Sequence, residues 1–122
     1  MGYEVEMKVR VKIPKEKKDE LLAAFKELDA AIDTYKGLGS HTTVKAAFED
    51  ARYDAILSKK GYYYIREFIG QKLWDDERFW KKLAPLIVDG SYIVVTGEDH
   101  ARWKWKFKDG KMETKHAAYS WD

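Results

Sequence analysis

Hydrophobic and polar residues alternate strictly in two stretches of this chain. Over residues 3–13 the odd-numbered positions are Tyr, Val, Met or Ile and the even-numbered ones are Glu, Lys or Arg. Over residues 102–108 three aromatic residues alternate with cations. Because successive strand residues point to opposite faces, each stretch predicts a strand with one buried and one charged face. The second strand should bury Trp103, Trp105 and Phe107 under the helices and expose Arg102, Lys104, Lys106 and Lys108.

Other segments repeat hydrophobic residues at helical spacing. Residues 15–36 predict a first helix that ends at Gly37, and residues 75–87 predict a second long helix. Between them we expect a shorter helix that begins at Ser40 or Thr42, because both residue types cap helix N-termini well.

Short hydrophobic and aromatic runs between turn residues predict the remaining strands. Two of them form a hairpin and three form a C-terminal meander with an Asp-Gly turn at 109–110. The hairpin strands run from Tyr53 to Leu57 and from Tyr62 to about Ile69; the meander strands run from Ser91 to Thr96, from Arg102 to Lys108 and from Lys111 to Trp121.

These elements give the order β-α-α-β-β-α-β-β-β in a single domain that spans residues 1–122. Without the short helix and the last two strands the order is β-α-β-β-α-β, the ferredoxin-like pattern. We therefore expect an α+β fold with a twisted, mostly antiparallel sheet and the helices on one face. The last two strands either extend this sheet or fold over its open side.

Composition narrows the range of functions. The chain of 122 residues holds 23 Lys and Arg against 21 Asp and Glu, and a net charge of +2 argues against a protein devoted to coating polyanions. The absence of Cys excludes disulfides, thiolate zinc sites and a cysteine nucleophile. No apolar run approaches the ~20 residues that span a bilayer, and no signal-peptide pattern opens the chain, so we expect a cytoplasmic protein without a membrane partner.

Catalytic motifs are missing from the sequence. The three His residues lie far apart and fit no metal-ligand spacing, and no Ser lies in a G-x-S-x-G motif. His100 follows Glu98 and Asp99 between two predicted strands, where a solvated turn is a more common arrangement than a metal site. We therefore expect a protein without enzymatic activity, metal or cofactor.

A glycine-rich segment between the first two helices is a candidate anion-binding loop. Gly37, Gly39, Ser40 and Thr42 precede a helix N-terminus, where backbone N–H groups and hydroxyls can hold a phosphate. The segment follows a helix rather than a strand and completes no known phosphate motif. We therefore favour a structural connection, with a C-terminal glycine on one helix and an N-cap on the next.

The predicted strand that begins at Tyr62 resembles part of an RNA-binding motif. Residues 60–65 match five of the eight positions of the RNP1 element of RRM domains, but Tyr63 occupies a small-residue position and Phe68 comes one residue late. Tyrosines are also common in strands simply because they pack well, and a row of Lys protects sheet edges from pairing. The candidate binding residues are Arg102, Lys104, Lys106, Lys108, Tyr62, Tyr64 and Arg66.

Two regions of the chain resemble a group of small bacterial and phage proteins to which no activity is assigned. The resemblance covers a little over a third of the chain and implies a small accessory protein of a bacterium or mobile element. It rests on residues 2–7 with Ile13-Pro14, and on Leu83-Ala84-Pro85, residues 89–93, Gly97-Glu98-Asp99 and the pattern Trp103-x-Trp105-x-Phe107.

Together these patterns predict a protein that functions by binding through a sheet face. The favoured partner is another protein or a small anionic ligand. RNA or single-stranded DNA is the alternative, and an enzyme ranks third. The exposure of Tyr62 and Tyr64 beside the basic strand distinguishes the first two hypotheses.

Overall fold

The structure, a computed structural model, describes residues 3–67, 72–73, 75–97 and 101–116, and it is an α+β fold. In these residues it has six main strands, one two-residue strand and three α-helices. The strands are β1 (Tyr3–Pro14), β2 (Tyr53–Leu57), β3 (Tyr62–Glu67), β4 (Lys72–Leu73), β5 (Tyr92–Gly97), β6 (Arg102–Lys108) and β7 (Lys111–His116), and the helices are α1 (Lys18–Ala31), α2 (Val44–Asp50) and α3 (Asp76–Leu83).

The strands form one open antiparallel sheet in the order β2-β3-β1-β5-β6-β7, and β4 pairs with the start of β1. The long strand β1 pairs with β3 through its second half and with β5 through its first half. The last two strands therefore extend the sheet and do not fold over it. Their hairpin turns at Asp109 and Gly110, whose φ values of 54° and 75° fit the left-handed positions of a type I′ turn.

The helices cover one face of this sheet and enclose a single apolar core. The ring of Phe79 in α3 packs against Phe25 of α1, Phe48 of α2 and Tyr53 of β2, with centroid distances of 5.7 to 6.1 Å. Trp105 and Phe107 of β6 are buried on this face as predicted, whereas Trp103 is only half-buried. None of the described helices is long and apolar enough to cross a bilayer.

The first helix is shorter than the predicted span of 15–36. After one 3-10 turn at Lys15–Lys17, the α-helix ends at Ala31, and Ile32 is extended with φ −133° and ψ 118°. Residues 32–34 are β-branched or short polar residues with low helix propensity. Because the chain leaves the helix here, Tyr35 in the following 3-10 turn reaches the core and packs 5.3 Å from Phe79.

The other two predicted helix boundaries are also corrected. Thr43, not Ser40 or Thr42, caps α2, because its side chain accepts a hydrogen bond from the Ala46 amide at 3.2 Å. The helix predicted over 75–87 ends as an α-helix at Leu83 and continues only as a 3-10 turn. Pro85 explains this change, since its ring would clash with a carbonyl of the preceding turn.

Some predicted features lie outside the described residues. They are the continuation of the third strand to Ile69, the turn at Glu98, Asp99 and His100, and the end of the last strand at 117–121.

Candidate binding surface

The face of the sheet opposite the helices, which we call the open face, brings together the candidate residues of distant strands. The register places Lys12 opposite Tyr64, Arg10 opposite Tyr92, and Tyr92 in turn opposite Lys106. Residues that pair across strands point to the same face. The β3 tyrosines and the β6 cations therefore share one surface, with β1 and β5 between them.

Positive charge is concentrated on the open face. Among the described strand residues from Glu6 onward, apart from the two-residue strand β4, ten basic residues lie there against three acidic ones, and the Glu67 carboxylate also reaches this face at Arg10, so the net charge is +6 although the whole chain has only +2. The basic residues are Lys8, Arg10, Lys12, Arg66, Arg102, Lys104, Lys106, Lys108, Lys111 and Lys115, and the acidic ones are Glu6, Asp54 and Glu113. Positive charge that is concentrated on one face attracts anions to that face, even when the net charge of the whole chain is small.

Three tyrosines lie among these cations. Tyr62, Tyr64 and Tyr92 are half-buried, so each exposes part of its ring. The Lys12 ammonium is 4.5 Å from the centroid of Tyr62 and 5.9 Å from that of Tyr64. Lys104 lies 4.6 Å from the centroid of Tyr92. These distances are within the range of cation–π attraction.

The cations of β1 differ in their partners. Arg10 forms an ion pair with Glu67 at 3.0 Å, and the same carboxylate oxygen accepts a hydrogen bond from the Val9 amide at 2.6 Å. In the described part of the chain, Lys8 and Lys12 have no carboxylate within ion-pair distance. Their ammonium groups can therefore contact an anionic ligand without breaking an ion pair with any of those residues.

The sequence identified only part of this surface. It named Tyr62, Tyr64, Arg66 and the four cations of β6, and all seven lie on the open face. It missed Lys8, Lys12 and Tyr92. The alternation over 3–13 already placed Lys8 and Lys12 opposite the buried face of their strand. Only the sheet order shows that this strand separates β3 from β5.

The glycine-rich loop binds a carboxylate of the protein itself. Gly37 has a left-handed φ of 92°, and the Gly39 amide donates a hydrogen bond to the Asp29 carboxylate at 2.9 Å. Hydrogen bonds from the Gly37 and Gly39 amides lower the pKa of Asp29 below its ordinary value. Ser40 donates its hydroxyl to the Gly37 carbonyl at 2.7 Å.

The internal carboxylate thus occupies the amides that a phosphate would need. Gly39 also lies close to α1, since a Cβ on it would lie 2.8 Å from Cα of Lys26. Thr42, the last of the loop candidates, precedes the Thr43 cap and has no hydrogen bond to this carboxylate. These contacts favour the structural interpretation of Gly37, Gly39, Ser40 and Thr42.

A buried polar cluster joins β2 to α3. Tyr53 donates a short hydrogen bond to Asp76 and accepts one from the Trp80 indole at 3.0 Å. Burial, followed by the nearby Asp76 charge, raises the pKa of Tyr53 well above its ordinary value. The cluster is enclosed by core residues and reaches no solvent, so its role is structural.

Histidines and carboxylates do not form a metal site in the described residues. No group of three His, Asp or Glu side chains is close enough to hold an ion there. His41 lies 2.9 Å from Asp50 as an isolated pair, and His100 is outside the described residues.

Comparison with known proteins finds no matching family model, no matching curated protein and no matching solved structure. The interpretation of the open face therefore depends on its own geometry and charge.

Proposed function

We propose that this protein binds single-stranded nucleic acid through the open face of its sheet. The observation that supports this function is that three partly exposed tyrosines and ten basic residues share one face of the sheet, which none of the described helices covers. Proteins that bind single strands combine a basic track for phosphates with aromatic rings on which bases stack. The protein then acts by binding, with no chemical step and no cofactor.

The arrangement of the tyrosines suits a single strand better than a duplex. Tyr64 and Tyr92 lie on strands that are separated by β1, and two strand spacings amount to about 10 Å. Unstacked bases can reach separate rings over such a distance, whereas the bases of a duplex are already stacked and paired. Lys12, Arg10 and Lys8 line the strand between the rings, where the phosphates of a bound strand would pass.

The lysines over the rings have to move when bases stack. An exposed cation–π contact is worth about 0.5–1 kcal/mol. Stacking of one base on an aromatic ring is worth ~1–3 kcal/mol, and the displaced ammonium gains a phosphate in exchange. The balance therefore favours binding.

The topology supports the same proposal. We assign β1, α1, β2, β3, α3 and β5 to a ferredoxin-like core, to which β6 and β7 are added. In RRM domains of this pattern, the sheet carries the aromatics that stack bases. We also retain the expectation of a bacterial or mobile-element accessory protein that works in the cytoplasm.

Fluorescence anisotropy with mixed-sequence RNA and single-stranded DNA tests the proposal. We expect saturable binding that weakens with salt, and Lys104→Gln with Lys106→Gln should lower the slope of log affinity against log salt by ~0.7 per lost contact. Tyr64→Ala and Tyr92→Ala should weaken binding by ~1–3 kcal/mol each.

A matched control removes two positive charges from the helix side. Lys18 and Lys26 lie on α1 and are exposed, so Lys18→Gln with Lys26→Gln should leave affinity and salt slope unchanged. The proposal would be refuted if the Lys18 and Lys26 variant weakened binding as much as the Lys104 and Lys106 variant, or if the wild type did not bind.

The second candidate is an acidic protein or a small anionic ligand on the same face. It is supported by the cation–π contacts, because rings already covered by Lys12 and Lys104 present charge rather than open stacking surfaces. Polyglutamate and inorganic phosphate serve as probes. Binding that needs Lys104 and Lys106 but is insensitive to Tyr64→Ala and Tyr92→Ala would favour this candidate.

A further inference from the structure

The hairpin formed by β6 and β7 differs from the rest of the open face in its charge. Among the described strand residues from Glu6 onward, apart from β4, the hairpin contributes a net +5 to the open face and the other strands a net +1. The hairpin residues concerned are the cations Arg102, Lys104, Lys106, Lys108, Lys111 and Lys115 and the carboxylate Glu113. Most of the net charge of the open face thus lies on two of its strands.

Among its described residues, the hairpin presents no aromatic ring on the open face. Trp103, Trp105 and Phe107 of β6 lie on the helix-covered face, where Trp105 and Phe107 are buried. The three tyrosines of the open face lie on β3 and β5. Bases of a ligand can therefore stack at one end of the open face, whereas the described part of the hairpin offers its cations to phosphates.

Lysines face each other across the hairpin at two positions. The register places Lys104 opposite Lys115 and Lys108 opposite Lys111. Like charges directly opposite each other destabilise a sheet. Neither Lys108 nor Lys111 forms an ion pair with a described residue, so no described carboxylate offsets the repulsion between them. Positions that break a local rule of stability in this way are expected at functional sites.

Protection of the sheet edge explains only the charges of one strand. The edge strand is β7, and charged residues on it oppose pairing with other chains. Strand β6 lies between β5 and β7, so no edge requires its lysines. A ligand with several negative charges, in contrast, is attracted by the lysines of both strands together.

The spacing of the lysine pairs indicates the kind of ligand. Lys104 and Lys108 lie four residues apart on β6, which corresponds to about 13 Å in a strand. Lys106 and Glu113 face each other between the two lysine pairs, and their charges cancel. The major groove of B-form DNA is about 12 Å wide, with a phosphate backbone on each side and base edges between them. A single strand laid along the hairpin would instead place a phosphate beside Glu113, which repels it.

We infer that the β6–β7 hairpin binds across the major groove of a DNA duplex, with one lysine pair at each phosphate backbone. This inference rests on the proposed function, because the tyrosines bind the single strand that continues from the duplex. The ligand is then DNA in which a single-stranded segment adjoins a duplex. Four strand spacings, about 19 Å, separate β3 from β7, so one such molecule can occupy both ends of the open face.

Fluorescence anisotropy with a set of labelled DNAs tests the inference. The set contains a single strand of about five nucleotides, a blunt duplex of about ten base pairs, that duplex with the short strand as an overhang of either polarity, and a single strand as long as the overhanging strand. We expect the overhang duplex to bind at least about tenfold tighter than the short strand or the blunt duplex, because linked contacts act together. An RNA duplex with the same overhang should gain less, since its major groove is narrow.

Substitution of one lysine pair tests the hairpin itself. Lys108→Gln with Lys111→Gln should remove most of the gain from the duplex and leave the affinity for the short strand unchanged. The slope of log affinity against log salt should fall by about 0.9 per lost phosphate contact with the overhang duplex only. The variant should melt no lower than the wild type, because it removes two like charges that face each other.

A matched control removes two exposed lysines from the turn of the other hairpin. Lys59→Gln with Lys60→Gln should keep the gain from the duplex, because this turn lies at the opposite end of the sheet order from β7. Equal losses of the gain in the two double variants would overturn the inference.

The set of DNAs separates this inference from the proposed function. Binding of the short strand without a gain from the duplex would overturn the inference and leave the proposed function standing, whereas a wild type that binds no single strand would refute both. The inference would also fail if the long single strand bound as tightly as the overhang duplex, because the hairpin would then hold a single-stranded backbone. An equal gain from the RNA duplex would contradict the argument from groove width.

Discussion

The described part of the core contains two buried tyrosine hydroxyls, of which one is hydrogen-bonded and the other is not. Removing each hydroxyl in turn therefore tests how much these hydrogen bonds stabilise the fold. Tyr53 donates to Asp76 and accepts from the Trp80 indole. The Tyr35 hydroxyl is also buried but has no hydrogen-bond partner among the residues that the structure describes. Both rings pack on Phe79, at 5.7 Å for Tyr53 and 5.3 Å for Tyr35. Tyr→Phe therefore keeps the ring contact in both cases and removes only an oxygen.

The expected changes in the free energy of unfolding have different sizes and different signs. Tyr53→Phe removes a hydrogen bond to a charged group, worth ~1.5–3 kcal/mol, and leaves the Trp80 N–H buried without an acceptor, which costs a further ~1–3 kcal/mol. Since other core groups can relax, we expect a loss of about 3 kcal/mol. Tyr35→Phe removes an unsatisfied buried hydroxyl, so stability should be unchanged or rise by up to about 1 kcal/mol.

Urea titrations followed by Trp fluorescence at pH 7 measure both changes. Equal m-values in the wild type and the variants would show that each protein exposes the same amount of surface on unfolding. Equal losses in the two variants would refute the reasoning, because they would mean that the Tyr35 hydroxyl is satisfied in solution.

The pH dependence of stability follows from the same groups. Burial raises the pKa of Tyr35 and of Tyr53 above the value of about 10 that tyrosine has in an unfolded chain. Above that pH the unfolded chain releases these protons while the folded chain retains them, so stability falls as pH rises. The wild type should therefore lose stability above about pH 10, and Tyr35→Phe should lose less over the same range.

Two further pairs of variants test the loop and the core. Gly37→Ala should lower the free energy of unfolding by about 1 kcal/mol because Gly37 has a φ of 92°, and Gly39→Ala should lower it further because the added Cβ would lie 2.8 Å from Cα of Lys26. Added phosphate should not raise the melting temperature of the wild type, and a saturable rise would restore the anion-binding hypothesis. Trp105→Ala should cost ~3–5 kcal/mol and the half-buried Trp103→Ala clearly less in the same denaturant titrations, whereas a reversed ranking would mean that β6 presents its other face to the core.

Local patterns in the sequence were sufficient to predict most of the elements. The alternation over residues 3–13 and 102–108 predicted both strands and their buried faces, because side chains in a strand have a strict period of two. The Asp-Gly pair at 109–110 predicted the last hairpin because few residue pairs tolerate two left-handed positions in succession. Helix ends were predicted less well, since the β-branched and short polar residues at 32–34 end the first helix earlier than hydrophobic spacing indicated.

The tertiary structure alone decided which residues meet. Pairing between β1 and its two neighbours depends on contacts between residues 48 to 92 positions apart in the chain, and no local pattern encodes their order. That order brought Tyr92 and Lys12 to the open face and left β2 at an edge with Ile56 exposed. The sequence thus determined what each strand presents on its two faces. Only long-range strand pairing determined that the basic and aromatic residues form one surface, because residues that are distant in the sequence can bind one ligand only when the fold places them close together.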